Sequence, residues 1–161
     1  LTQVYNRRYL NGRLQDAVVR CRQDPTCELS LVLFDVDEFK AINDNYSHLV
    51  GDEVLRKTAA VLAGTFRRTD VVARWGGEEF AVMLTSTTKE AAERVADRAR
   101  EAVAAADWSE VAPGLEVTVS AGVASVREMQ GGPNALELLR LADRRLYLAK
   151  SSGRNRVTAG D

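Results

Sequence analysis

Two acids, Asp35 and Asp37, come directly after the apolar run Leu29-Ser30-Leu31-Val32-Leu33-Phe34. A strand that apolar ends in acids when its end is wet, when an acid caps the next element, or when the acids hold a cation. Mg²⁺ takes oxygen ligands and usually binds one or two carboxylates together with substrate phosphates. Metal ligation therefore stands beside the two structural readings. A second acidic pair, Glu78-Glu79, lies between Gly76-Gly77 and the run Phe80-Ala81-Val82-Met83-Leu84. Adjacent carboxylates repel, and paired glycines remove side chains where a backbone must turn tightly or approach a ligand. If this hairpin lies beside Leu29–Phe34, Glu78 meets Asp35 around one cation; otherwise it is an exposed acidic turn.

Between these acids runs Phe39-Lys40-Ala41-Ile42-Asn43-Asp44-Asn45, followed by Gly51-Asp52. An asparagine amide donates to guanine O6 or N7, and a carboxylate accepts from N1–H and the 2-amino group. Asn43 and Asp52 suit that task, and they suit turns and caps equally. Lys150 and Arg154 flank Ser151-Ser152-Gly153. They read either as cations favoured at a helix C-terminus or as a phosphate clamp.

The elements that must position these groups follow from two periods. Leu10, Leu14, Ala17, Val18 and Cys21 recur at helical spacing, with Asn6 as cap and Pro25 as the close. Leu29–Phe34 is a buried strand. Val54, Leu55, Thr58, Val61 and Leu62 mark a second helix, with Gly64 as its stop. Val71–Trp75 and Phe80–Leu84 form a hairpin around the Gly76-Gly77 turn. Thr87-x-x-Glu90 reads as a capping box for a helix with Ala92, Val95, Ala96, Ala99, Val103 and Ala106 on one face. Leu115, Val117, Val119, Ala121 and Val123 alternate as a strand. Asn134-x-x-Glu137 opens a helix with Leu138, Leu139, Ala142, Leu146 and Ala149 inward. Gly153 ends it, and Arg156-Val157 adds a short last strand. One antiparallel hairpin among helical crossovers predicts an α+β fold of the ferredoxin-like class, a mixed and mostly antiparallel sheet covered by helices.

The chain has 161 residues, which at about 150 residues per domain predicts one domain, 1–161. Its net charge of −1 lacks the basic excess that supplies most affinity for nucleic-acid polymers. A polymer-extending nucleotidyl transferase is disfavoured on the same ground. No apolar run reaches the roughly 20 residues of a membrane span, and the first residues do not read as a signal peptide. Cys21 and Cys27 are not a C-x-x-C pair, and with His48 the only histidine no Cys/His zinc set can be assembled. The expectation is two reduced thiols in a cytoplasmic chain without membrane contact.

Taken together, these segments resemble the GGDEF family of diguanylate cyclases. Gly76-Gly77-Glu78-Glu79-Phe80 is similar to its signature loop in the GGEEF form. Leu1-Thr2-x-x-x-Asn6-Arg7-Arg8, Asp35-x-Asp37-x-Phe39-Lys40-x-Ile42-Asn43-Asp44 and His48-x-x-Gly51-Asp52-x-x-Leu55 resemble its other segments. So do Ser120-x-Gly122-Val123 and Ala142-Asp143-x-x-Leu146-Tyr147-x-Ala149-Lys150-x-x-Gly153-Arg154-Asn155. Gln3, Val4 and Tyr5 depart from the usual Gly-Leu-Pro type turn, and Ser47 stands where glycine is frequent.

The resemblance implies a fold like adenylyl cyclase and polymerase palms. It implies condensation of two GTP into cyclic di-GMP and two pyrophosphates, each subunit of a homodimer holding one GTP. Asp35, Glu78 and the Val36 carbonyl are implied ligands of Mg²⁺ or Mn²⁺, with Glu79 close by. Glu79 is one candidate for taking the 3′-hydroxyl proton and water is another. Asn43 and Asp52 are implied guanine readers beside His48. Backbone amides around Phe39 and Lys40, with Lys150 and Arg154, are implied phosphate binders, and Arg74 a group that neutralises transition-state charge. Arg67-x-x-Asp70, five residues before the loop, resembles the family's inhibitory product site, with Arg98 as a further arginine. The resemblance also implies a catalytic domain excised from a longer signalling protein, monomeric or weakly dimeric alone. A non-catalytic module that senses cyclic di-GMP or GTP is the alternative.

Overall fold

Burial on both sides of one strand organises the architecture. The computed structural model describes residues 4–161; Leu1, Thr2 and Gln3, which open the family-like stretch, lie outside the described residues. Strand β2 (Leu29–Val36) is buried at every position, and alternate side chains of a strand point to opposite faces. Leu29, Leu31 and Leu33 pack with Leu10, Leu14, Leu138 and Ala142. Val32, Phe34 and Val36 pack with Val54, Leu62, Ala92 and Val103 on the other side. A strand covered on both faces reads as a continuous apolar run rather than an alternating one, as this one does.

Around β2 the chain runs β1 (Tyr5–Asn6), α1 (Arg7–Gln23), then β2, α2 (Phe39–Asn45) and α3 (His48–Thr65). It continues through β3 (Val71–Arg74), β4 (Glu79–Thr85), α4 (Lys89–Ala105), β5 (Val119–Ser125), α5 (Ala135–Ser151) and β6 (Val157–Thr158). The six described strands are ordered β1-β3-β4-β2-β5-β6. The pairs β3–β4, β4–β2 and β2–β5 are antiparallel, and the edge pairs β1–β3 and β5–β6 are parallel. This is the expected mixed, mostly antiparallel sheet between helices. α5 crosses β5 closely at Gly122, where a Cβ would lie 2.1 Å from the Ala142 carbonyl oxygen. No helix among the described residues is long and apolar enough to cross a membrane.

Asn6 caps α1 by accepting from the Tyr9 amide at 2.8 Å, and Asn134 caps α5 by accepting from the Glu137 amide at 3.0 Å. Other boundaries differ from expectation. α3 runs through Gly64 and ends at Thr65; the next residue, Phe66, turns inward to meet Phe34 edge-on at 6.1 Å between ring centroids. The cap of α4 is Thr88, not Thr87, because the Thr87 hydroxyl is engaged with Thr85 and Arg67. The strand expected from Leu115 begins only at Val119. Its partner β2 ends at Val36, which faces Val119, so Leu115 and Val117 are buried without a ladder. The amide-rich stretch after β2 is a short helix, α2, which buries Ile42.

The expectation of two reduced thiols is corrected. Cys21 and Cys27 form a disulfide with their Cα atoms 5.0 Å apart. Linear spacing misses this because a turn folds the chain back on the end of α1, the Cys27 amide donating to the Asp24 carbonyl at 3.0 Å.

Candidate functional site

The β2–β4 register brings the two acidic segments together. Asp35 faces Glu79 across the antiparallel pair, and the Val36 amide donates to the Glu78 carbonyl at 3.1 Å. The Gly76-Gly77 turn is closed by the Trp75 and Gly76 amides, which both donate to the Glu79 carbonyl, at 2.8 and 3.2 Å. Arg74 tightens it further. Its Nε donates to the Gly76 carbonyl at 3.2 Å and its Nη2 to the Gly77 carbonyl at 2.6 Å. Its guanidinium therefore positions the acidic turn.

Asp35 is 4% exposed. Its Oδ2 lies 3.3 Å from Lys150 Nζ on α5, and its Oδ1 is buried with no hydrogen-bond partner. Burial pushes the Asp35 carboxyl up to about 6; Lys150 opposes this, and Glu78 and Glu79 add to it. The Glu79 carboxyl is also held above the usual carboxylate range, by burial first and then by Asp143. Asp143 thus belongs to this neighbourhood, although its place in the sequence gave it no assigned task. Among the described residues, no group of three or more acidic, histidine or cysteine side chains is arranged to hold a metal ion as it stands. An unpartnered buried carboxylate oxygen beside two more glutamates nonetheless suits a hard cation with oxygen ligands.

Asp37 is separated from this cluster. Its carboxylate accepts from the Thr118 hydroxyl at 2.7 Å, the Ser120 hydroxyl at 2.6 Å and the Asn155 amide at 3.0 Å. A carboxylate so fully engaged is a structural anchor rather than a free ligand. It pins the turn at Gly153, Arg154 and Asn155, all of which have positive φ. Arg154 Nε points to Glu38, 3.3 Å away.

Asn43 sits on α2 with its Oδ1 buried and unpartnered. Gly51 on α3 makes room for it: a Cβ there would come within 1.9 Å of that oxygen and 3.2 Å of the Phe39 ring. Asp52, His48 and Lys40 are exposed, and Phe39 is half-buried.

The third predicted group forms a separate cavity of about 310 Å³, lined by Arg67, Asp70, Thr87 and Arg98 among others. Arg67 Nη2 donates to Asp70 Oδ1 at 2.9 Å, the Thr85 carbonyl at 3.1 Å and Thr87 Oγ1 at 2.8 Å. The Asp70 side chain is 1% exposed while that of Arg67 is 56% exposed, so a buried acid aims a half-free guanidinium outward.

Comparison with known proteins identifies the family. A family model described as "Diguanylate cyclase, GGDEF domain" matches residues 1–156. The response regulator PleD of Caulobacter vibrioides is 43% identical over 162 residues, covering 98% of this chain and 34% of PleD. The chain spans about a third of the length of the curated relatives it matches. Among solved structures, the active GGEEF domain of a diguanylate cyclase from Vibrio cholerae superposes with a TM-score of 0.89 at 33% identity, covering 98% of this chain and 97% of that one. The GGDEF domain of DgcB from Caulobacter crescentus, solved in complex with c-di-GMP, gives a TM-score of 0.88 at 30% identity, covering 98% and 92%. The fold, the acidic turn docked on β2 and the match over residues 1–156 lead to one conclusion: this chain belongs to the diguanylate cyclase GGDEF-domain family.

Proposed function

We propose that this chain condenses two molecules of GTP into cyclic di-GMP with release of two pyrophosphates, as a homodimer in which each subunit presents one nucleotide. The observation that carries this is Asp35: a buried carboxylate with a free oxygen, facing Glu79 in register and touching Lys150. In each half-reaction the 3′-oxygen of one GTP bonds to the α-phosphorus of the other. The bond from that phosphorus to the β-phosphate bridge breaks, and the 3′-hydroxyl proton leaves.

Asp35, Glu78 and the Val36 carbonyl are the residues to hold a divalent cation, Mg²⁺ or Mn²⁺, with Glu79 beside them. When bound, such a cation supplies positive charge to the α-phosphate and leaving pyrophosphate and lowers the pKa of the attacking hydroxyl. Glu79 is the side-chain candidate to take the hydroxyl proton, water being the other. Asn43 and Asp52, with His48 at the start of the same helix as Asp52, read the guanine edge. Amides around Phe39 and Lys40 bind β- and γ-phosphate oxygens. Lys150 and Arg154 exchange their carboxylate partners, Asp35 and Glu38, for those oxygens. Arg74 acts by fixing the Gly76–Gly77 carbonyls and hence the aim of Glu78. Incubation of the dimerised chain with GTP and Mg²⁺ tests the reading, with cyclic di-GMP and pyrophosphate as the expected products.

Two substitutions follow. Gly51→Ala drives a methyl into the space of Asn43 Oδ1, and loss of one base contact raises the KM for GTP about tenfold; steady-state kinetics measures it. The Arg67, Asp70 and Arg98 cavity is proposed to bind the product and inhibit. A guanidinium fork suits both phosphate and the guanine edge, so Arg67→Ala weakens cyclic di-GMP binding about tenfold or more by calorimetry.

A specific observation favours the binding-module alternative. The Arg67 cavity is formed as the chain stands, a buried acid holding a half-free guanidinium outward. Tight product binding with no turnover by a verified dimer selects that alternative.

A further inference from the structure

The turn that joins α1 to β2 is closed twice, once by hydrogen bonds and once by sulfur. Asp24 Oδ1 accepts from the Thr26 amide at 2.9 Å and the Thr26 hydroxyl at 2.7 Å, and the Cys27 amide donates to the Asp24 carbonyl at 3.0 Å. These hydrogen bonds turn the chain so that residue 27 lies back over the end of α1. The 5.0 Å between the Cα atoms lies inside the roughly 4.4–6.8 Å that a disulfide spans. The turn thus holds Cys21 and Cys27 at a separation that a disulfide spans without backbone movement. Closing so short a ring removes less entropy from the unfolded chain than closing a long one, which leaves room for a further role.

Two neighbours supply one. Cys21 and Cys27 line an open cavity of about 460 Å³ together with Arg20, Asp24, Thr85 and Ser86. Cys21 is 5% exposed and Cys27 half-buried, so Cys27 is the sulfur that a small disulfide reaches first. The second neighbour is Ser86. Its amide donates to the Glu28 carbonyl, one residue past Cys27, at 2.9 Å, and its φ is +52°. Ser86 also lines the cavity of Arg67 and Asp70, and the residues on either side of it, Thr85 and Thr87, both accept from Arg67 Nη2.

We propose that Cys21 and Cys27 are a reversible thiol–disulfide exchange site, entered through the cavity beside them, whose state sets how readily the Ser86 wall under Arg67 opens. The Cys27 thiolate attacks one sulfur of a low-molecular-weight disulfide, forming a mixed disulfide and releasing one thiolate. The Cys21 thiolate then attacks the Cys27 sulfur and expels the second. The chain loses two hydrogens, and the small disulfide is reduced to two thiols. Both states share one resting geometry. With the bond in place, the turn and the Glu28–Ser86 hydrogen bond can open only together with the end of α1. With it broken, they open alone.

The test uses the whole chain in oxidised and reduced glutathione. In oxidised glutathione, wild type loses both alkylatable thiols and two mass units, and reduced glutathione restores them without denaturant. The Cys21→Ser variant, checked for native circular dichroism, retains one glutathione at Cys27. Hydrogen exchange at the Ser86 amide is faster in the reduced chain than in the oxidised chain, by about threefold or more. Thiols that stay fully alkylatable in oxidised glutathione overturn the exchange site. So does a bond that resists reduction until the chain unfolds. Equal Ser86 exchange in the two wild-type states overturns the coupling to the Arg67 wall.

Discussion

Asp35→Asn removes cyclase turnover by about a thousandfold, the scale of losing one well-placed electrostatic group at a reacting centre, and it stabilises the ligand-free fold. The two effects have one cause. Asp35 is buried, its Oδ1 has no partner, and burial together with Glu78 and Glu79 outweighs Lys150 to raise its carboxyl to about 6. Because the folded state holds this proton more tightly than the unfolded chain, the group's contribution is most favourable below the ordinary carboxylate pKa. It is lost as pH rises through 6. The rise in the Asp35 pKa corresponds to roughly 3 kcal/mol. An asparagine of the same shape does not titrate. Chemical denaturation should therefore find wild type and variant similar near pH 4, with the variant ahead by about 3 kcal/mol at pH 7 and above. Divalent cation should narrow the gap for wild type only.

Fusing the chain to a parallel coiled coil raises its activity per subunit by up to about a thousandfold at micromolar concentration. The chain is proposed to carry half of a reaction centre, so the free form must meet a second copy by diffusion. A short tether replaces micromolar with roughly millimolar effective concentration. Without fusion, the rate per subunit should rise with chain concentration; with fusion it should not. Kinetics over a dilution series checks both, with sedimentation reporting the monomer–dimer balance.

Much of this molecule is legible in its sequence because apolar spacing reports directly on burial. Leu10, Leu14, Ala17, Val18 and Cys21 are the residues α1 buries, and the approach of the acidic turn to Asp35 follows once the hairpin lies beside β2, although the residue in register with Asp35 is Glu79 rather than the expected Glu78. The exceptions share a cause: each depends on partners distant in the chain. Asp37 differs from Asp35 only through Thr118, Ser120 and Asn155. Asp143 reaches Glu79 only because α5 packs on the sheet. Arg145 interrupts the apolar face of α5 yet is buried, held by Glu128 at 2.7 Å and Asp161 at 2.9 Å. The Cys21–Cys27 bond depends on a turn that Asp24 builds with its own side chain. Among the site residues, Lys150 and Arg154 read from sequence equally as helix-end cations and as phosphate ligands; in the fold Lys150 lies against Asp35 near the end of β2 and Arg154 against Glu38, which precedes α2.

The central claim is that the cluster around Asp35 makes a phosphodiester from GTP. Quantifying the products of the coiled-coil-fused chain incubated with GTP and Mg²⁺, alongside its Asp35→Asn variant, tests it most directly. One cyclic di-GMP for every two GTP consumed by the fused wild type, and none above background from the variant, is the predicted result. Absence of cyclic di-GMP from a fused dimer that binds GTP by calorimetry would contradict it.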